Sequence, residues 1–186
     1  MSIALIVSAF AGICASGPAW ATPAQVLIIR HGEKPDSGSG LSDLGQERAQ
    51  ALVSYFENDT QVTRFGTPAA IYAMAPTNGD TAGLRPVLTV TPLAQALGLS
   101  ILDSYAQKDV QPLAQDILSK PEYDGKMVLI CWEHHMIPAI AAALGVQPQP
   151  DAWGKDVYDQ VWEIDFTNGQ VSNFQQYQEA LNLSRN

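Results

Sequence analysis

Basic side chains are scarce in this chain. Lysine and arginine together number 10 against 19 aspartates and glutamates, which gives a formal net charge of −9. Such a balance provides no broad positive surface for nucleic acid or for an anionic membrane. We therefore expect neither as a partner, and any anion site must be a local cluster of the few arginines.

Long apolar runs are also lacking. Residues 1–13 carry no charged side chain, but small and turn-forming residues interrupt the apolar stretch that follows. The stretch falls short of the roughly 20 residues that a membrane-spanning helix needs. Ala19-Trp20-Ala21 offers a small-x-small cleavage site, so residues 1–21 are predicted to be a secretory signal peptide. A buried N-terminal helix or a membrane anchor is the alternative.

Cysteine is the third scarcity, with only Cys14 and Cys131 in the chain. Cleavage after Ala21 would leave an exported domain of residues 22–186, periplasmic or extracellular, with one cysteine and no intramolecular disulfide. Cys131 lies within an apolar run and is expected to be a small core residue.

What the chain does contain is an alternation of apolar runs and helical patterns. Four strands, four helices and a C-terminal hairpin are predicted: strands at Val26–Ile29, Ala69–Met74, Ser100–Leu102 and Lys126–Trp132, helices from Ser42 to about Asn58, at Arg85–Leu97, Val110–Ser119 and Ile137–Leu144, and hairpin strands at Val161–Phe166 and Val171–Tyr177. This order predicts an α/β fold with a largely parallel sheet. Pro92 is expected to kink or restart its helix, and the polar tail from Gln178 is expected to fray.

The three histidines all follow buried strands. His31 ends the first strand within Arg30-His31-Gly32, and His134 and His135 follow the strand that ends at Trp132. Ligands of open α/β sheets bind at the carboxyl ends of strands. A neutral imidazole can attack phosphorus and divide a phosphoryl transfer into two steps.

Positive donors for a phosphoryl group are available in the same pattern. Arg30 adjoins His31, and Arg85 begins a helix whose N-terminus favours anions. His134 adds a further donor, so these four residues could stabilise the transferred group without a metal. Structural histidines and a metal site are the alternatives. A metal site is disfavoured because His134 and His135, as neighbours on an extended segment, would face opposite ways.

Four segments in this order resemble the histidine phosphatase superfamily, which has the phosphoglycerate-mutase-like fold. They are Leu27-Ile28-Ile29-Arg30-His31-Gly32-Glu33-Lys34-Pro35, Leu41-Ser42-x-x-Gly45-x-x-Arg48-Ala49, Arg85-Pro86-x-x-Thr89-x-x-Pro92, and Glu133-His134 followed by Ile137-Pro138. The resemblance implies a three-layer α/β/α sandwich with a mostly parallel central sheet.

The resemblance also implies roles. His31 would become phosphorylated, Arg30, Arg85 and His134 would complete the phosphate pocket, and Pro86 and Thr89 would lie beside it. The implied protein is a metal-independent phosphatase without cofactor that hydrolyses a small phosphorylated substrate. A phosphomutase and a phospho-ligand binding module without turnover are the alternatives.

Two positions depart from the family pattern. Thr81 stands where a serine usually precedes the second arginine, and His135 stands where some members place an acidic proton donor. Asp109 is the preferred candidate for the proton donor, with Asp103 and Glu33 as alternatives. Asp109 could equally be a helix N-terminal charge favoured by the helix dipole.

Overall fold

The computed structural model describes residues 22–76 and 83–184. The predicted signal peptide, residues 1–21, and the departure at Thr81 therefore lie outside the described residues. None of the helices within the described ranges is both long and apolar enough to span a membrane.

Six strands form one sheet. They are β1 (Gln25–Arg30), β2 (Ala70–Ala73), β3 (Ile101–Leu102), β4 (Met127–Trp132), β5 (Gln160–Thr167) and β6 (Gln170–Gln178). The strand order is β3-β2-β4-β1-β5-β6. The four strands from β3 to β1 pair in parallel, and β5 and β6 add antiparallel pairs at one edge. The predicted mostly parallel sheet with a C-terminal hairpin is confirmed.

Helices cover both faces of the sheet. They are α1 (Asp43–Asn58), α2 (Leu84–Leu97), α3 (Val110–Ser119) and α4 (Ile137–Ala143), with a short 3₁₀ helix at Pro121–Tyr123. Alternate residues of β1 show the layers, because Leu27 packs with α1 and α2 whereas Ile28 packs with α3 and α4. Every residue of β1 and β4 is buried, as expected for strands between two helical layers. The predicted three-layer sandwich is confirmed.

Local capping follows the sequence closely in α1 and α2. Ser42 caps α1, since its hydroxyl accepts a hydrogen bond from the Gly45 N–H at 3.1 Å. Helix α2 ends at Gly98, which has a φ of 65° that glycine adopts readily. The helix is assigned without interruption through Pro92, so the predicted restart does not occur.

The C-terminal tail is ordered by contacts that its sequence does not reveal. Glu179 is buried, its N–H donates to the Asp159 carbonyl, and its carboxylate accepts from Arg48. Leu181 packs against the core beneath α1 and α2, and the Ser184 N–H donates to Glu47 at 2.8 Å. The expectation that the tail frays is therefore wrong for residues 179–184, because its partners come from distant parts of the chain.

Candidate active site

The catalytic candidate His31 directly follows β1 and is 6% exposed. Its backbone N–H donates to the Trp132 carbonyl at 3.0 Å, which ties it to the end of β4. Its Nδ1 lies 2.8 Å from the Gly32 carbonyl oxygen. A carbonyl only accepts hydrogen bonds, so Nδ1 carries the proton and Nε2 keeps a free lone pair. The Nε2 atom of the ring is therefore the one with a lone pair that could attack an electrophile.

The surroundings of His31 also keep it uncharged. Burial is the main cause that lowers the pKa of His31 from 6.5 to about 4, and the charges of Arg30, Arg85 and His134 lower it further. The hydrogen bond to Gly32 opposes this effect. At neutral pH the imidazole is neutral, which is the form that can attack phosphorus.

A hydroxyl joins the His31 turn to the start of α2. The Gly32 N–H donates to Thr89 Oγ at 2.8 Å, and that hydroxyl donates to the Arg85 carbonyl at 2.7 Å. Thr89 thereby uses both its acceptor and its donor while it is fully buried. Thr89 therefore contacts both Gly32 and Arg85. That Pro86 and Thr89 lie beside a phosphate pocket stays a prediction.

Two glycines let α1 approach the same turn. A Cβ on Gly45 would lie 2.4 Å from the Glu33 carbonyl oxygen, and a Cβ on Gly32 would lie 3.0 Å from the Gly45 oxygen. Ser42 closes the contact, because its N–H donates to the Glu33 carbonyl at 2.9 Å. The spacing of the first two sequence motifs is thus set by direct backbone contact.

Arg30 is 3% exposed, and its guanidinium nitrogens have different surroundings. Its Nη1 donates to the carbonyls of Lys155 at 2.7 Å and Val157 at 2.8 Å, and its guanidinium carbon lies 3.8 Å from the centre of the Tyr158 ring. Its Nε is buried and has no hydrogen-bond partner among the described residues. Nη1 therefore binds the loop that contains Lys155 and Val157, while Nε remains as a hydrogen-bond donor for a ligand.

Arg85 lies in the first turn of α2. Its Nε donates to the Gly40 carbonyl at 2.9 Å, which connects α2 to the loop after β1. Its charge is among those that lower the pKa of His31.

The second histidine motif forms a turn after β4. Burial lowers the pKa of His134, and the charges of Arg30 and His135 lower it further. His134 Nδ1 is buried without a hydrogen-bond partner in the described ranges. Glu133 is also buried, and its Oε2 accepts from His135 Nδ1 at 2.8 Å.

Solved structures share this architecture. The protein histidine phosphatase SixA, solved in complex with tungstate, matches this chain with a TM-score of 0.56 and 16% sequence identity. The match covers 83% of this chain and 96% of the SixA chain. The chain has the histidine phosphatase fold. A mycobacterial glucosyl-3-phosphoglycerate phosphatase matches at a TM-score of 0.50 and 14% identity, over 87% of this chain and 99% of its own.

A phosphoglycerate mutase from Bacillus anthracis str. Sterne shares the histidine phosphatase fold as well. It matches at a TM-score of 0.50 and 13% identity, over 83% of this chain and 92% of its own. No protein-family model and no curated protein matches the sequence. The predicted phosphoglycerate-mutase-like architecture is confirmed.

Within this fold, hydrogen bonds connect the segments that carry the four predicted site residues. The His31 N–H donates to the Trp132 carbonyl, just before the second histidine motif, and Thr89 joins Gly32 to the Arg85 carbonyl. The charges of Arg30, Arg85 and His134 lower the pKa of His31.

Two of the proton-donor candidates accept hydrogen bonds from groups other than the four site residues. Glu33 accepts from Arg48 at 2.7 Å, and Asp109 accepts from the Ala106 N–H at 2.9 Å, just before α3.

The expectation that His134 and His135 face opposite ways is wrong. His134 and His135 lie in a turn rather than on an extended segment, and their ring centroids are 3.8 Å apart. One ligand atom from each of Glu133, His134 and His135 lies within 4.8 Å of the others. The backbone reverses direction here, so the period-2 rule for strands does not apply.

Tyr158 and the loop before it are site components that the sequence did not predict. The Tyr158 ring packs on Arg30 and lies edge-on to His31, with ring centroids 6.1 Å apart. The only local indication was an aromatic residue in an otherwise polar loop. Its distance from the motifs along the chain hides the contact, because the pairing is made by the tertiary fold alone.

Proposed function

We propose that this chain belongs to the histidine phosphatase superfamily and hydrolyses phosphomonoesters through a phosphohistidine at His31. The proposal rests on one observation: His31 offers a nucleophilic nitrogen in a site in which two buried polar nitrogens have no hydrogen-bond partner among the described residues. His31 Nε2 has a free lone pair, while Arg30 Nε and His134 Nδ1 are buried without partners among the described residues. Buried polar atoms are ordinarily hydrogen-bonded, and a phosphoryl group would provide the acceptors that these two atoms lack.

The reaction would proceed in two displacements. His31 Nε2 attacks phosphorus, a new N–P bond forms, and the bond from phosphorus to the ester oxygen breaks. The alcohol leaves with a proton from a donor. Water then attacks the phosphohistidine and gives a proton back to that donor, while the N–P bond breaks, phosphate is released and the lone pair returns to Nε2. Arg30 and Arg85 would balance the charge on the phosphoryl oxygens throughout.

Asp109 remains the proposed proton donor. The loop that carries it packs against the second histidine motif, because Trp132 Nε1 donates to the Gln107 carbonyl at 3.2 Å. Its present contact with the Ala106 N–H is at the surface. We propose that substrate binding moves this loop so that the carboxyl group reaches the leaving oxygen, because catalytic hydrogen bonds often tighten only in the substrate complex.

Release of phosphate from p-nitrophenyl phosphate tests the proposed activity, with His31→Ala as the matched inactive variant. The wild type should form an acid-labile phosphoenzyme that His31→Ala lacks. Because the pKa of His31 is lowered to about 4, protonation of this residue should not limit kcat/KM until the pH falls toward that value.

Three other outcomes would contradict the proposal. Phosphate binding without release across acid and neutral pH would support the binding-module alternative. Transfer of the phosphoryl group to a second position of the substrate, without free phosphate, would support a mutase. Equal phosphate release by wild type and His31→Ala would remove His31 from the mechanism.

A further inference from the structure

We propose that Glu133, His134 and His135 form a Zn²⁺ site, and that zinc and the phosphoryl group compete for His134. The competition rests on the function proposed above, whereas the metal site does not. Among the described residues this is the one group of three histidine, cysteine, aspartate or glutamate side chains with ligand atoms within 4.8 Å of one another.

The distances suit a tetrahedral ion. Zn–N and Zn–O bonds of about 2.0–2.1 Å place neighbouring ligand atoms about 3.3 Å apart. Glu133 Oε2 lies 2.8 Å from His135 Nδ1 and 3.8 Å from His134 Nδ1. These two separations bracket the ideal value, and the ligand atoms of the two histidines also lie within 4.8 Å of each other. Movements of the side chains toward one centre would complete three coordination bonds.

Buried polar atoms without hydrogen-bond partners also indicate a ligand at the Glu133, His134 and His135 cluster. His134 Nδ1 and Glu133 Oε1 are both buried without a hydrogen-bond partner in the described ranges. A cation between the three side chains would use the lone pair of His134 Nδ1. Two imidazoles and one carboxylate are a donor set that favours Zn²⁺ over Mg²⁺ or Ca²⁺, which prefer oxygen ligands alone.

The ion has a path from solvent. The His135 side chain is 73% exposed, whereas those of His134 and Glu133 are 12% and 11% exposed. His135 would capture the ion, and the two buried side chains would complete its coordination. The fourth position would hold water.

Competition follows because His134 Nδ1 has two uses. It is a ring nitrogen without a partner among the described residues, in the proposed phosphate pocket, and it also lies 3.8 Å from Glu133 Oε2, on the side of the proposed metal site. One nitrogen cannot bind zinc and a phosphate oxygen together. Zinc should therefore inhibit phosphate release, and the inhibition should weaken as the phosphate ester concentration rises.

The first test measures binding without activity. Co²⁺ added to the full chain should give the strong visible bands of tetrahedral coordination, and Zn²⁺ should displace it and give a Kd by calorimetry. His135→Asn keeps a donor for Glu133 but removes the ligand, so the Zn²⁺ affinity should fall by roughly 10–100-fold or more. Glu122→Gln, which changes an exposed carboxylate before β4, should bind like the wild type.

The second test adds Zn²⁺ to the phosphatase assay. Wild type and Glu122→Gln should be inhibited and then restored by a chelator, while His135→Asn should resist inhibition. Unchanged Zn²⁺ affinity in His135→Asn, or weak octahedral Co²⁺ spectra, would overturn the metal site. Zinc inhibition that is unaffected by substrate concentration would overturn the competition. Tetrahedral Co²⁺ bands lost in His135→Asn, in a chain that releases no phosphate, would uphold the site and refute the proposed function.

Discussion

At the scale of single residues, the properties of His31 come from its two neighbours in sequence and from burial. The Gly32 carbonyl fixes the proton on Nδ1, and burial together with Arg30 keeps the ring neutral. The same burial would be unfavourable for a charged imidazole. The neutral form that the proposed phosphatase reaction requires is therefore the resting form of the residue.

Asp109→Asn separates proton donation from phosphoryl transfer. An alkyl phosphate needs a proton on its leaving oxygen, whereas nitrophenolate leaves readily without one. General acid catalysis typically contributes about 10²–10⁴-fold. We expect kcat/KM for an alkyl phosphate to fall by about that factor and kcat/KM for p-nitrophenyl phosphate to change little.

The asparagine amide can still accept from the Ala106 N–H, so the loop should keep its conformation. Glu122→Gln serves again as the control for a lost carboxylate. If Asp109→Asn hydrolyses both esters at wild-type rates, another group donates the proton.

At the scale of elements, the site depends on how closely α1 approaches the turn after β1. Gly45 lies in the first turn of α1, and its Cα faces the Glu33 backbone. Ser42 fixes the helix start from both sides, since its hydroxyl caps Gly45 and its N–H donates to Glu33. The helix thus supports the segment that contains His31 through backbone contacts, which tolerate little displacement.

Gly45→Ala should therefore damage both stability and activity. The new Cβ would lie 2.4 Å from the Glu33 oxygen, so α1 or the turn must move. Overpacking of this kind costs about 1–3 kcal/mol, although alanine is the better helix former. We expect a lower free energy of unfolding in urea and a lower kcat/KM.

Gln50→Ala, at an exposed position of α1, is the control for a change of helix propensity. A Gly45→Ala variant more stable than the wild type, as propensity alone would favour, would show that the close contact does not constrain the turn.

At the scale of the whole molecule, Arg48 joins three distant segments. Its Nη2 donates to Glu33 at 2.7 Å, and its Nη1 donates to Glu179 in the C-terminal tail. Arg48 is 5% exposed and Glu179 is 7% exposed. The loop after β1, helix α1 and the chain end are therefore held by one buried guanidinium.

Arg48→Met should strongly destabilise the protein. Methionine fills much of the space but leaves the Glu179 carboxylate buried without its cation. Removal of one partner of a buried ion pair costs about 3–5 kcal/mol, a large part of the roughly 5–15 kcal/mol that stabilises a typical domain. Urea unfolding should show this loss, and Lys126→Met, at an exposed position, should not.

Glu179→Gln provides the complementary variant, because the amide oxygen can still accept from Arg48. Its loss should be smaller than that of Arg48→Met. An Arg48→Met variant within about 1 kcal/mol of the wild type would mean that the tail does not depend on this pair.

The sequence by itself determined the elements and the strand ends at which His31 and His134 lie. Apolar runs and caps act over a few residues, so Ser42 and Gly98 could be assigned without a structure. Tertiary structure decided the rest. Distant segments supply the contacts of Tyr158 with Arg30 and of Glu179 with Arg48. The close approach of the His134 and His135 rings depends on a local reversal of the backbone. The periodicity of the sequence does not predict those contacts, because they form only when the sheet brings its strand ends together.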